Sequence, residues 1–269
     1  MTTPRGDGSR IDQAMRSQAP GLWPFVVGGY PTPAGTTGLL AALASAPIRG
    51  IEIGIPFSDP IADGPVIQSA FAESLANGTR VADVLSAISA ARRSVEVPII
   101  AMVSASIVYR LGVRAFVERA AASGVDGLIV PDISLEEASG LAAATGDAGL
   151  RLPMLVAPTT PDERRERIAG IASGFLYYVS VQGTTGARME LPADLEANIR
   201  RVRDACAMPV MVGFGISQRE HVRRVCAYAD GAIVGSAIVR EMQTSYRAGA
   251  GDDAAVESVV SFVRGLCDD

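Results

Sequence analysis

The sequence predicts a single (β/α)8 barrel with an extra N-terminal helix. Eight short apolar, β-branched runs recur along the chain, each followed by turn residues and then a helical pattern. Strands that alternate with helices imply parallel pairing through right-handed crossovers. The length, 269 residues, suits eight such units in one domain and allows a core that needs no disulfide or metal staple. The runner-up is an open doubly wound sheet, which would ordinarily have fewer strands and one phosphate loop after the first.

The runs are PFVVGG (24–29), GIEIG (50–54), VPIIAMV (97–103), DGLIVP (126–131), PMLVAP (153–158), FLYYVS (175–180), PVMVGF (209–214) and GAIVGS (231–236). Capping signals mark the helix starts between them. Thr32-Pro33 is a weak signal after the first run, and the stretch 80–85 opens a further helix. Ser134 with Glu137 follows the fourth run, Thr160-Pro161-Asp162-Glu163 the fifth, and Ser217 with Glu220 the seventh. A last helix is expected from Ala254 to Leu266. Residues 1–10, rich in Gly, Ser and Thr, read as a disordered tail, and 11–269 as one catalytic barrel.

Composition removes whole classes of chemistry. The chain has 24 arginines and not one lysine. Schiff-base aldolases, lysine-anchored pyridoxal-phosphate enzymes and P-loop nucleotide hydrolases all need that lysine. One histidine, His221, and three scattered cysteines, Cys206, Cys226 and Cys267, do not make a His- or Cys-rich metal site. Three thiols without a disulfide pattern suit a reducing, cytoplasmic setting. The N-terminal stretch lacks the apolar core of a secretory leader. No apolar run approaches the roughly 18 residues of a membrane span. A net charge of −5 with no basic cluster argues against nucleic acid as the main partner. His221 reads as a solvated helix residue among Arg219, Arg223 and Arg224.

Two constellations remain for chemistry. The first follows the second run: Glu52, then Asp59 and Asp63 in a loop stiffened by Pro56, Pro60, Gly64 and Pro65. Strand alternation turns Ile51 and Ile53 toward the helices and Glu52 toward the barrel interior. An unpaired interior carboxylate is costly, and at a strand's C-terminal end it suggests catalysis. The alternatives are an ion-paired Glu52, ordinary turn aspartates, or a Mg²⁺ site shared by the three carboxylates. The second constellation is glycine-rich: 182–187 after the sixth run, 213–217 after the seventh, and Gly235-Ser236 after the eighth. Glycines and helix N-termini at neighbouring barrel positions suit a phosphate-bearing ligand, and their amides make a lysine unnecessary. Phe25 lines a pocket or fills a core layer.

These stretches together resemble the tryptophan synthase alpha family. The resemblance rests on IEIGIPFSDPIADGPVIQ (51–68), GVDGLIVPD (124–132), GTTGAR (183–188), GFGIS (213–217) and GAIVGSAIV (231–239), in that order. It covers the chain from about 20 to 265. It implies cleavage of indole-3-glycerol phosphate to indole and glyceraldehyde 3-phosphate. No cofactor is implied for this chain; pyridoxal phosphate is expected only in a beta subunit that consumes the indole, in an alpha2-beta2 heterotetramer. By resemblance Glu52 and Asp63 are catalytic. Phe25, Ile129, Tyr177, Thr185 and Phe214 surround the substrate, Gly186, Gly215, Gly235 and Ser236 hold the phosphate, and Asp59 faces the partner. The chain departs from the family at Val103-Ser104-Ala105-Ser106, where a Tyr-x-Asn pattern is common, and at Val181-Gln182. Alternatives are a standalone indole-releasing lyase, another phosphate-binding barrel isomerase or synthase, and a non-catalytic regulatory partner.

Overall fold

The computed structural model describes residues 8–16, 20–60, 63–179, 191–213, 215–249 and 251–267. Eight parallel strands form its centre: β1 (Gly21–Val27), β2 (Ile51–Gly54), β3 (Ile99–Met102), β4 (Gly127–Ile129), β5 (Met154–Val156), β6 (Leu176–Val179), β7 (Val210–Gly213) and β8 (Gly231–Val234). They run in the order β4-β3-β2-β1-β8-β7-β6-β5. The two end strands meet through a parallel bridge between Gly127 and Arg151. There the Leu128 amide donates to the Arg151 carbonyl at 2.8 Å and the Arg151 amide to the Asp126 carbonyl at 3.0 Å. The sheet is therefore a nearly closed barrel, and the open-sheet alternative is set aside.

Register decides which side chains look inward. Phe25 pairs with Glu52, Glu52 with Ile100, and Ile100 with Gly127. Partners in a parallel ladder share a face, so these four form one layer of the interior. Their strand neighbours Ile51, Ile53, Ile99 and Leu128 are fully buried beneath the helices. The alternation read from GIEIG thus holds in three dimensions.

Helix α1 (Arg10–Arg16) crosses the N-terminal end of the barrel and acts as its plug. Ile11 is fully buried. A Cβ on Gly127 would stand 2.8 Å from the Ile11 Cδ1, so the helix side chain occupies the space that any larger residue would claim. Above it Trp23 meets Phe175 edge-on, with ring centroids 5.9 Å apart. Ion pairs fasten the plug: Arg10 to Asp126 at 3.0 Å and Arg151 to Asp12. Residues 1–7 of the expected tail lie outside the described residues, and α1 begins at Arg10.

The remaining helices alternate with the strands. They include α2 (Gly35–Leu43), α3 (Pro65–Ala76), α4 (Val81–Ala91), α5 (Ala105–Leu111), α6 (Val113–Ala122), α7 (Leu135–Asp147), α8 (Asp162–Ile171), α9 (Leu195–Ala205), α10 (Arg219–Cys226), α11 (Ser236–Arg247) and α12 (Asp252–Leu266). Ser134 caps α7 as expected, accepting the Glu137 amide at 3.2 Å while its hydroxyl donates to the Glu137 carboxylate at 2.7 Å. Two other helices start one residue later than read. At α8 the cap residue is Pro161, and Thr160 Oγ1 instead accepts the Ala157 amide at 2.9 Å, tightening the preceding turn. At α10 the cap is Gln218, one residue beyond Ser217. That helix buries His221, Val222 and Val225 while Arg219, Glu220, Arg223 and Arg224 stay in solvent. His221 is therefore not the solvated residue expected from its neighbours. It sits beside the apolar Val222/Val225 stripe, and position on the helix outweighs residue type.

Candidate active site

The C-terminal end of the barrel gathers those residues singled out by the sequence that are among the described ones. Glu52, in the middle of β2, is 1% exposed. Among the described residues neither of its carboxylate oxygens has a hydrogen-bond partner. Burial, and after it the negative charge of Asp63, raises its pKa to about 8. An acid in that environment holds its proton at neutral pH.

Asp63 stands just before α3, whose N-terminus is formed by Gly64 as cap and Pro65 as first helical residue. Its position is fixed through the backbone: its amide donates to the Pro60 carbonyl at 3.0 Å, and the Gln68 side-chain amide donates to the Asp63 carbonyl at 2.7 Å. Burial pushes the Asp63 carboxyl up to about 6. It is nevertheless mainly ionised at pH 7, because a protonated Glu52 adds no charge against it. The two carboxyls therefore occupy opposite protonation states in one site, the pattern that separates an acid from an anion. Among the described residues no three His, Cys, Asp or Glu side chains cluster as a metal site.

The walls follow from the register. Tyr177 on β6 is buried, and burial together with the charges of Glu52 and Asp63 drives its phenol well above the ordinary range. A Cβ on Gly213 would fall 2.3 Å from the Tyr177 Oη, so β7 needs glycine there to admit the ring. Phe25 on β1 and Ile129 on β4 are buried. A Cβ on Gly54 would press against the Phe25 ring at 2.8 Å and the Phe71 ring at 2.9 Å. Both rings therefore close over the end of β2.

Across the barrel, Gly215 turns at φ +81° between β7 and α10. Gly235 caps α11, and Ser236 is its first residue. The amides of that first turn point at the end of β8, the arrangement that suits an anion. Gly235 borders Phe25, with a notional Cβ 3.3 Å from the ring. Asp59 is exposed on the loop between β2 and α3. Thr185, Gly186 and Phe214 lie outside the described residues, as do Val181 and Gln182.

Three features at the mouth escaped the sequence reading. Phe71 shares the roof of the site with Phe25, on the face of α3 that also buries Ile67 and Ser74. The Ser104 hydroxyl donates to Asp132 at 2.7 Å, and the Ala105 amide donates to the same carboxylate at 2.8 Å. This clamp joins the loops after β3 and β4, and nothing local in either loop announces it. Gln68 is the third, as the residue that fixes the Asp63 loop from α3.

Comparison with known proteins matches this arrangement to one family. The family model described as tryptophan synthase alpha chain matches residues 11–266. The tryptophan synthase alpha chain of Synechococcus sp. (strain CC9902) is 43% identical over 237 residues, covering 88% of each chain. That of Roseiflexus castenholzii is 44% identical, covering 88% of this chain and 93% of its own. Among solved structures, the tryptophan synthase A-subunit of Pyrococcus furiosus superposes with a TM-score of 0.84 at 37% identity, covering 92% of this chain and 98% of its own. The alpha subunit of Legionella pneumophila str. Paris gives a TM-score of 0.86 at 32% identity over 96% and 98%. The chain belongs to the tryptophan synthase alpha chain family.

Proposed function

We propose that this chain cleaves indole-3-glycerol phosphate to indole and D-glyceraldehyde 3-phosphate, the alpha reaction of tryptophan biosynthesis. The observation that carries this reading is the buried, unpartnered Glu52 beside an ionised Asp63. A retro-aldol cleavage of this substrate must add a proton to indole C3 and remove one from the side-chain hydroxyl next to it. Glu52 begins protonated and gives its proton to C3, which disrupts the aromatic pyrrole and makes the ring an electron sink. Its carboxylate then takes the hydroxyl proton. The C–C bond breaks as the aldehyde forms, and the bonding electron pair returns to the ring to restore indole. Glu52 ends protonated, as it began. Asp63 accepts the indole N–H and stabilises the positive charge that C3 protonation places on the ring. The mechanism asks for no lysine, which the chain lacks.

Phe25, Ile129, Tyr177 and Phe214 are assigned to the indole pocket. Thr185 is assigned to the substrate as well. Gly186, Gly215, Gly235 and Ser236 are assigned to the phosphate, which α11 meets with its positive end. Residues 11–269 act as one catalytic domain. The alpha family carries no cofactor of its own; pyridoxal phosphate belongs to the beta subunit with which it pairs. The assembly assigned here is an alpha2-beta2 heterotetramer in the cytoplasm, with Asp59 on the rim that meets the partner. No helix among the described residues is long and apolar enough to cross a membrane.

The test is a steady-state assay of indole release from indole-3-glycerol phosphate, with and without a beta subunit. Indole and glyceraldehyde 3-phosphate should appear in equal amounts, faster with the partner present. No release under either condition overturns the reading.

A further inference from the structure

Four observations bear on which indole substrates this site admits, and the argument rests on the retro-aldol reading above. First, strand order places β7 and β8 opposite β3 and β4 around the barrel. A phosphate held at Gly215 and Ser236 therefore sends the rest of the molecule toward the β3–β4 rim. Second, that rim is not filled by the described residues. A mainly apolar recess opens there, lined by Ile55, Phe57, Phe71, Val103 and Pro131 together with Asp63 itself. Third, the recess adjoins the interior: Phe71, one of its walls, also closes over Gly54 beside Phe25. Fourth, its far edge is fixed by the Ser104–Asp132 clamp, at 2.7 Å and 2.8 Å, so it is a built cleft rather than a gap between free loops.

The orientation follows from the chemistry of the ring. The tail leaves from C3 toward β7–β8, and N1–H points at Asp63. The benzo ring then lies away from the tail. Its carbon farthest from C3, on the N–H side, is C6. A group at C6 leaves the ring at the end remote from the tail, toward the recess that Asp63 borders, whereas a group at C4 lies back beside the tail. We propose that the recess is a specificity pocket for indole-3-glycerol phosphates carrying a small apolar substituent at ring position 6, with Val103 setting its depth. Val103 is buried and lines the recess, and its amide donates to the Ile129 carbonyl at 2.9 Å, so its backbone is fixed against β4. A well-shaped apolar pocket distinguishes one methyl group by roughly 10- to 100-fold.

The experiment compares kcat/KM for the 6-methyl, 4-methyl and unsubstituted substrates. The wild type should cleave the 6-methyl compound within about threefold of the parent and the 4-methyl compound at least tenfold less well. In Val103→Phe the ratio of 6-methyl to parent kcat/KM should fall at least tenfold, and in Val103→Ala it should rise for a 6-ethyl compound. Reading a ratio removes any loss common to both substrates. Because Val103→Phe overfills a buried position, the Val103→Ala variant and the wild-type comparison stand without it. Equal wild-type discrimination against the 4- and 6-methyl compounds overturns the proposal, as does a ratio unmoved by both variants. If the parent itself is not cleaved, the reaction assignment falls. The pocket is then read from the Kd values of the uncleavable 3-indolyl-propanol phosphates, with and without the 6-methyl group, where the same two patterns support or overturn it.

Discussion

At the N-terminal end of the barrel buried charges meet their opposites, whereas at the C-terminal end two carboxyls share a site with no arginine paired to either among the described residues. Asp126, at the entry to β4, accepts from Arg10 at 3.0 Å, from Arg92 at 2.7 Å and from the Ile99 amide at 2.8 Å. Glu52 has no partner at all among the described residues. Both acids are more than nine-tenths buried, so depth alone does not separate them. The difference is what surrounds them. Three donors satisfy Asp126 and tie it into the frame of the barrel. Their lack forces Glu52 to carry a proton, and a held proton is what a general acid requires. One end of the barrel uses charge for cohesion, and the other retains an energetic cost for chemistry.

The comparison breaks most readily at Glu52. Glu52→Gln should lower indole release by about 10³-fold or more, with no loss of thermal stability. The pH dependence of stability sharpens the point. The folded carboxyl is raised to about 8 from an ordinary 4.5. Below 4.5 both states are protonated and Glu52 imposes no penalty. Between 4.5 and 8 the unfolded chain has lost the proton that the folded chain still holds. Wild-type stability should therefore decline as pH rises across that window, through Glu52's contribution, and level above it. Denaturant midpoints of wild type and Glu52→Gln, measured from pH 4 to 9, should diverge in that direction. Parallel curves would mean that Glu52 is solvated or paired after all.

Asp126→Ala should do the reverse. Removing it leaves Arg92, whose side chain is 13% exposed, without its counter-ion, and breaking a buried pair costs about 3–5 kcal/mol. Activity per folded molecule should change little. A fall in kcat without a fall in the unfolding midpoint would erase the distinction between the two ends. Asp63→Asn comes next, with a loss of about 10² in rate, the scale of removing one electrostatic stabiliser of a developing charge. The acidic limb of the kcat profile, set by a carboxyl near 6, should go with it.

Much of this was legible because it is periodic. The alternation of GIEIG told that Glu52 points inward, and the eight runs gave the barrel and the place of the glycines after β7 and β8. Non-periodic features were not legible. Asp126 finds Arg10 across a separation of 116 residues, and no local signal in DGLIVP reports that partner. His221 was misplaced because its charged neighbours describe the outer face of α10, while its own position is on the inner one. The Ser104–Asp132 clamp links loops 28 residues apart and depends on β3 and β4 being neighbours in space. The protonation states of Glu52 and Asp63 follow from burial and mutual distance, quantities that exist only once the chain has folded.

The smallest effect tests whether pairing or burial gives the closed end its strength. Arg114 and Asp147 make the same kind of ion pair as Arg92 and Asp126, at 3.5 Å, but their side chains are 71% and 66% exposed. Water already solvates both groups, so the pair gains little Coulomb energy and ordering the two side chains offsets part of it. Arg114→Ala should shift the unfolding free energy by no more than about 0.5 kcal/mol, with activity unchanged. Set beside Asp126→Ala, the two substitutions remove an Arg–Asp pair in different surroundings, and the several-fold difference between them measures the contribution of desolvation. A cost above about 2 kcal/mol for Arg114→Ala would show that pairing itself, independent of depth, stabilises this arginine-rich barrel. The contrast between its two ends would then reflect how many arginines each end holds rather than how each treats a buried acid.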